Sequence, residues 1–361
     1  MLVSLQLADG AVAGVNNLEL MALENIGLST FHGQHLVTAS RQTLASLADE
    51  TRLSIRARAA YKSVLSRAAE IHAIEREISS KVEVSATLLE PALDGGIWRV
   101  PLRSFALAFV LTHPIVLAEN LTDAKLYQEL GRWYGWHSRL RTLAFFAVPT
   151  GGGGSTTSQE LRTRVEDHPQ FTLCVVDSDR TYPGGPVGDT AAHCREVLPS
   201  DLWFARLIVL DVRELENLLP HTWIARTQTG SQSPELCHRL RMLQGAGLSV
   251  LTLHTDLKSG FDSCSATQSV TGDLRIQVWE DLQKLPNKSA ELTACVQARE
   301  CLHATACFRL PGLGTTILSQ TRDWLASASS EHTREVLANP RLVELARSVF
   351  EWGLAAHKLR L

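Results

Sequence analysis

Ile115-Val116-Leu117-Ala118-Glu119-Asn120-Leu121-Thr122-Asp123 decides how this chain is read. Four apolar residues end on a glutamate, and a second acid follows four positions later. Phe171-Thr172-Leu173-Cys174-Val175-Val176-Asp177-Ser178-Asp179 repeats the pattern, with a DxD closing the apolar run. Leu207-Ile208-Val209-Leu210-Asp211 leads into Arg213-Glu214-Leu215-Glu216-Asn217. Each run is short, continuous and rich in branched residues, as expected of a strand buried on both faces. Each delivers acids at or just beyond its C-terminal end, where open parallel α/β sheets place their ligands. Carboxylates gathered in one place repel one another unless a cation joins them, and Mg2+, or Mn2+ in its place, fits oxygen ligands of this kind.

Around these runs the chain alternates strand and helix. A helix is expected over 122–135, a strand over 143–148, and a helix from Ser158 after the glycine-rich Thr150-Gly151-Gly152-Gly153-Gly154-Ser155-Thr156. The loop Tyr182-Pro183-Gly184-Gly185-Pro186 precedes a further helix. This order implies βαβ units and a parallel sheet. Residues 1–108 read as mainly helical after an extended start, with Leu18-Glu19-Leu20 as a second extended piece. From Arg41 to Val82 there is neither Pro nor Gly, and the apolar spacing predicts one long helix or a helical hairpin. Arg52, Arg56, Arg58, Lys62 and Arg67 are expected on its solvated face. Asp94-Gly95-Gly96 marks a turn. Beyond 222 the chain turns α-rich, with helices expected over 235–244, 288–305, 314–327 and 340–358 and a strand over 248–253. Three segments result: a mainly helical region 1–108, an α/β domain 109–222 and an α-rich region 223–361.

The chain has 361 residues, 45% hydrophobic and 20% charged, an ordinary globular composition with room for two or three domains. A net charge of −3 gives no global basic field, so any nucleic-acid contact needs a local groove. The longest apolar run, Phe105–Ala118, is too short to cross a bilayer, and no secretory signal is evident. Seven scattered cysteines suit reduced thiols in the cytoplasm. Cys295, Cys301, His303 and Cys307 follow C-x5-C-x-H-x3-C, which is not a usual zinc spacing. Inside a helix these side chains would scatter around the cylinder, so buried thiols are the expectation. Trp133, Tyr134 and Trp136 are expected to serve core or interface rather than base stacking.

Glu119 after the first strand and Asp177-x-Asp179 after the third resemble a Toprim domain, a Rossmann-like fold with a parallel four-stranded sheet core. The likeness covers residues 109–222. Asp123, four residues after Glu119, and Arg213-Glu214-Leu215-Glu216-Asn217 are similar to elements of the OLD (overcoming lysogenisation defect) class of nucleases and related phage-defence Toprim proteins. Asp256-Leu257-Lys258-Ser259-Gly260 resembles a D-x-K-x-G segment of some relatives. Two departures stand out. Asn120 replaces the usual glycine, and no GxxxxGK[ST] motif is present, so the chain is expected to act without the ATPase domain of OLD proteins or with an ATPase that is a separate protein.

The resemblance implies a divalent-metal-dependent nuclease that hydrolyses DNA or RNA. Two cations about 3.5–4 Å apart would polarise the phosphate, activate water and stabilise the leaving oxygen. Glu119, Asp177 and Asp179 would hold one ion; Asp123 and Glu216, with Glu214 or Asp211 as substitutes, would hold the other. Lys258, or alternatively Lys125, would offset developing charge. The tetraglycine loop either approaches substrate phosphate, with Ser155 and Thr156 as donors, or is a flexible turn. Expected partners are a nucleic-acid substrate, a separate ATPase or other defence-system subunit, and a second copy of the chain, with no membrane. A Toprim topoisomerase needs a tyrosine in a large separate domain, for which four tyrosines and this length leave no room. The competing reading is a non-catalytic Toprim scaffold that binds nucleic acid or a partner ATPase.

Overall fold

A computed structural model describes residues 1–8, 11–94, 96–138, 140–220, 223–224, 227, 253–268, 272–285, 288–303, 307–327 and 339–360. The chain divides into two compact units. One comprises Met1–Val175, Cys194–Ile208 and Glu344–Leu361, the other Val176–His193 and Val209–Val343. These units interleave along the chain.

The first unit holds two main sheets. In the N-terminal one, β1 (Leu2–Leu5), β2 (Leu36–Ala39), β3 (Lys81–Ser85), β4 (Ala92–Asp94) and β5 (Ile97–Pro101) lie in the order β2-β1-β3-β5-β4. All pairings are parallel except that of β4 with β5, which is antiparallel and closes with Asp94 opposite Ile97, where a turn is expected. The sequence reading missed this sheet. Its strands have five residues or fewer, and β1 and β2 are buried along their whole length, so they carry no alternating pattern. Leu18-Glu19-Leu20 is not extended. It sits in the helix Asn17–Phe31, whose start is fixed by a reciprocal box in which the Glu19 N–H donates to Asn16 Oδ1 and the Asn16 N–H donates to Glu19 Oε2, both at 3.0 Å.

The stretch 41–82 is likewise corrected. It forms three helices, Arg41–Asp49, Ile55–Ser66 and Ala68–Glu75, before entering β3. Ser40 and Ser54 cap the first two, accepting from the N–H groups of Thr43 (3.0 Å) and Ala57 (3.2 Å). Arg52, Arg56 and Lys62 are exposed and Arg58 and Arg67 half-buried, as a solvated face requires.

The second sheet has the order β10-β9-β6-β8, formed by β6 (Ile115–Ala118), β8 (Val148–Gly151), β9 (Thr172–Val176) and β10 (Ala205–Val209). β6 runs parallel to β8 and β9, in registers Ala118↔Gly151 and Ala118↔Val175. The two central strands are buried throughout. The expected strand 143–148 splits. β7 (Ala144–Phe145) pairs antiparallel with β13 (Leu354–Ala355), and the sheet strand starts only at Val148. Pro149 is accommodated because β8 is an edge. The helix Leu121–His137 follows β6 as expected; it buries Trp133, half-buries Tyr134 and leaves Trp136 73% exposed.

The C-terminal helix Pro340–Trp352 brings Glu351, 1% exposed, to the Ser79–Ser80 turn. The carboxylate accepts from Ser79 Oγ (2.7 Å), the N–H of Ser80 (2.8 Å) and that of Ser79 (3.2 Å), and from Arg347 Nε (2.8 Å). Glu351→Ala takes the acceptor from all four donors at once, two on exposed Ser79 and one each on half-buried Ser80 and Arg347. The expected loss is about 2–4 kcal/mol, read as a fall in Tm.

In the second unit, β11 (Gly260–Asp262) pairs antiparallel with β12 (Arg309–Pro311). Helices span Ser263–Gln268, Gly272–Lys284, Ala290–Ala298 and Ile317–Ser327. The helix 272–284 was not anticipated, and the one expected over 288–305 stops at Ala298. The expected helix 235–244 and strand 248–253 lie outside the described residues, save Leu253. No helix among the described residues is long and apolar enough to cross a membrane.

Candidate metal centre

In the first unit, Glu119 and Asp123 stand where β6 gives way to its helix. The chain steps from β6 to β8 on one side and on to β9 on the other, so the sheet changes direction between β6 and β9. Open α/β sheets bind ligands at the carboxyl ends of strands flanking such a point. The glycine loop closes on the backbone there. The N–H groups of Gly153 and Gly154 both donate to the Glu119 carbonyl at 2.9 Å, and that of Gly152 to Ala118 at 2.7 Å. Thr156 Oγ1 donates back to the Gly152 carbonyl (2.5 Å), so its hydroxyl serves the loop, whereas Ser155 is exposed. Asp123 is 9% exposed and accepts from Asn120 Nδ2 at 3.2 Å. Asn120 thus orients an acid. Lys125 is half-buried on the same helix.

The second unit gathers the other acids. Asp177 Oδ1 accepts from the N–H of Leu215 at 3.1 Å, tying the DxD to the Arg213–Asn217 segment. The N–H groups of Ser178 and Asp179 both donate to the Arg213 carbonyl (3.0 and 2.9 Å). Asp179 takes a left-handed φ of 54°, a conformation Asp tolerates better than most residues. Gly188 lies against it: a Cβ there would sit 2.8 Å from Asp179 Cβ and 2.9 Å from Cγ. Those atoms are too near the main chain to swing aside. Gly188→Ala is therefore expected to displace Asp179, costing about 1–3 kcal/mol of stability. In the reading below it also weakens divalent-ion binding, measurable by calorimetry.

Glu214 is extended, and Leu215–Leu218 form one turn of 3-10 helix. Side chains two apart would diverge on a regular helix. Here the break between extended and helical backbone lets both acids reach one cation. Lys258 Nζ lies 3.1 Å from Glu216 Oε1 and 3.7 Å from Glu214 Oε2. Asn217 fixes the turn, its Oδ1 accepting from the Glu214 N–H (2.9 Å) and its Nδ2 donating to the Thr255 carbonyl (2.9 Å). Arg213 approaches Asp256 (3.9 Å), whose carboxylate accepts from the Ser259 N–H at 2.8 Å. Asp211 is ion-paired with Arg341 at 2.5 Å, which leaves it a poor substitute ligand.

The Glu216 side chain is fully buried. Lys258 approaches it as an ion pair, but neither carboxylate oxygen has an aligned hydrogen-bond donor among the described residues. Burial pushes its carboxyl up to about 7, against the pull of Lys258. Glu214 is raised as well, chiefly by burial. Burial disfavours the Lys258 ammonium, yet Glu216 and Glu214 outweigh it and the Lys258 pKa is raised. A buried carboxylate paired with Lys258 and set beside Glu214 offers oxygen donors of the kind a hard divalent cation takes. Of the sequence candidates, Asp177, Asp179, Glu214, Glu216 and Lys258 thus fall within the second unit, and Glu119 and Asp123 at one strand end of the first. Gly188 and Asn217 were not foreseen in their supporting roles, although Asn217 lies within the quoted motif.

No protein-family model, curated protein or solved structure matches the chain.

Proposed function

We propose that this chain is a divalent-metal-dependent nuclease of Toprim type that hydrolyses phosphodiester bonds of DNA or RNA and acts in the cytoplasm as a phage-defence effector. The observation that carries this reading is Glu216, a fully buried carboxylate without an aligned donor, held beside Glu214, Asp177 and Lys258. Asp177, Asp179, Glu214 and Glu216 are the proposed ligands in the second unit. Glu119 and Asp123 are proposed ligands on the strength of the resemblance. Mg2+ or Mn2+ would polarise the phosphate and supply an activated water. Lys258 acts in this reading as a positioning residue, the internal countercharge that keeps Glu216 and Glu214 poised for the ion.

The test is cleavage of single- and double-stranded DNA and RNA by the purified chain with Mg2+ or Mn2+, alone and with the products of neighbouring genes. The expected result is metal-dependent cleavage that Asp177→Ala and Glu119→Ala abolish. Intact nucleic acid under every condition, or cleavage unaffected by both substitutions, overturns the reading.

A further inference from the structure

A second group of metal-ligating side chains lies in the same unit, apart from the acids. Ring nitrogen or sulfur atoms of Cys295, His303 and Cys307 all fall within 4.8 Å of one another. Cys264 and Cys301 adjoin them: their thiols are hydrogen-bonded to each other, and both bear electrostatically on Cys307.

Two local features build the cluster. The helix Ala290–Ala298 ends on Arg299, which adopts a left-handed φ of 53°. The N–H groups of Arg299 and Glu300 fold back on the carbonyls of Val296 (3.3 Å) and Cys295 (3.1 Å), so the chain reverses. Cys301 and His303 thereby leave the helix and return toward Cys295. The β11–β12 ribbon supplies the other side. Asp262 pairs with Arg309, the Ser263 N–H donates to the Phe308 carbonyl (2.9 Å), and the Phe308 N–H donates to Ser263 Oγ (3.3 Å). Cys264, just after one strand, is thus held near Cys307, just before the other. The expected scatter rested on a helix through 305 and fails because the helix ends at Ala298, although Cys295 is buried as expected.

We propose that Cys295, His303 and Cys307, with Cys264 or Cys301 as fourth ligand, form a structural Zn2+ site. Two thiolates and an imidazole are borderline-soft donors that select zinc over the hard ions suited to carboxylates. Zinc–sulfur bonds near 2.3 Å set tetrahedral ligand edges of roughly 3.8 Å, within the span of this trio. Cys295 Sγ and Cys307 Sγ stand 3.0 Å apart, beyond a disulfide bond of about 2.05 Å and about 0.8 Å short of that edge, so the two thiols would move apart slightly around an ion. The Leu302 N–H points at Cys295 Sγ from 3.4 Å, an outer contact of the kind that stabilises a metal-bound thiolate. His303 is exposed and Cys307 half-buried, so an ion has a way in.

The ion would fasten the far end of the ribbon whose near end sets Lys258. Beyond β12, the N–H groups of Leu313 and Gly314 donate to the carbonyls of Leu257 (2.8 Å) and Lys258 (3.1 Å).

The experiment measures zinc bound to the full chain purified under reducing conditions, then replaces it with Co2+. About one equivalent of zinc is expected, together with the thiolate-to-cobalt charge-transfer and tetrahedral d–d bands. Cys307→Ser should lose both signals. His303→Ala, at an exposed position, should keep the fold and weaken zinc binding about 10–100-fold in chelator competition. Cys264→Ser and Cys301→Ser tell which thiol is the fourth ligand. Asp177→Ala should leave every one of these signals unchanged, so this result stands or falls independently of the nuclease reading. Absence of bound zinc and of cobalt–thiolate bands after reconstitution overturns the proposal. So does a Cys295–Cys307 disulfide formed in the presence of zinc and reductant, or unaltered affinity in both Cys307→Ser and His303→Ala.

Discussion

Glu216→Gln is expected to lower metal-dependent phosphodiester hydrolysis by at least ~10³-fold while the fold persists. Loss of a ligand charge at a catalytic ion removes several kcal/mol of transition-state stabilisation, and each ~1.4 kcal/mol is tenfold in rate. Gln has the shape of the protonated acid, which this site already favours. The same substitution should change how metal binding depends on pH. Burial raises the Glu216 carboxyl from an ordinary 4.5 to about 7. Below that value the metal-free protein carries a proton that an incoming cation must expel. Divalent-ion affinity should therefore climb as pH rises toward 7 and level off above it, with up to one proton released from Glu216 at the acid end. Calorimetry in two buffers of different ionisation enthalpy reads that proton directly. In Glu216→Gln both the slope and the released proton should shrink. Unchanged affinity and slope would remove Glu216 from the ligand set.

Lys258→Ala is expected to destabilise the metal-free protein by about 3 kcal/mol at pH 8 and by under about 1 kcal/mol at pH 5. The sign follows from proton linkage. A carboxyl whose folded pKa lies above its unfolded value binds the extra proton in the folded state between those two values. Stability therefore falls as pH rises through the window from 4.5 to about 7. Lys258, 3.1 Å from Glu216, limits that fall in the wild type. Without it the folded pKa of Glu216 moves higher, the window widens, and the penalty at pH 8 grows. At pH 5 Glu216 is already neutral in the folded protein, so little is lost there beyond the pairing to Glu214. Thermal unfolding in EDTA at the two pH values measures the difference. Equal losses at both would mean that the lysine stem, not its charge, supports the site. Saturating Mg2+ should restore part of the loss at pH 8, because a bound cation replaces the missing charge.

Much of the central sheet could be read from residue order. Ile115–Ala118 and Thr172–Val176 are strands because branched apolar residues in short runs bury both faces, and they are neighbours in register. In the N-terminal sheet β1 and β2 are buried along their length and carry no period, while β3 alternates over only five residues and β4 is exposed, so between helices these short runs resemble helix ends. The boundaries within 41–82 depended on Ser40 and Ser54, whose capping role shows only once the backbone accepts their hydrogen bonds. At the candidate centre, residue identities were legible and their company was not. Two positions apart, Glu214 and Glu216 share a face only in extended chain, and it is the change from extended chain to 3-10 turn that sets both beside Lys258, some forty positions on. The thiols show the reverse. Their spacing led to an expected scatter that the structure does not show, because Arg299 ends the helix early, in a conformation that its side chain does not advertise.

The sequence by itself determined the α/β character of the chain, the strand ends at which Glu119 and Asp177 stand, and the acids available for a cation, because burial and charge are properties of residues in order. The tertiary structure alone decided which of these groups share an environment. Fully burying Glu216 without an aligned donor, setting Gly188 under Asp179, and folding His303 back onto Cys295 and Cys307 are each products of long-range closure. Local pattern cannot encode such closures, because they depend on where the backbone reverses and on what it meets when it returns.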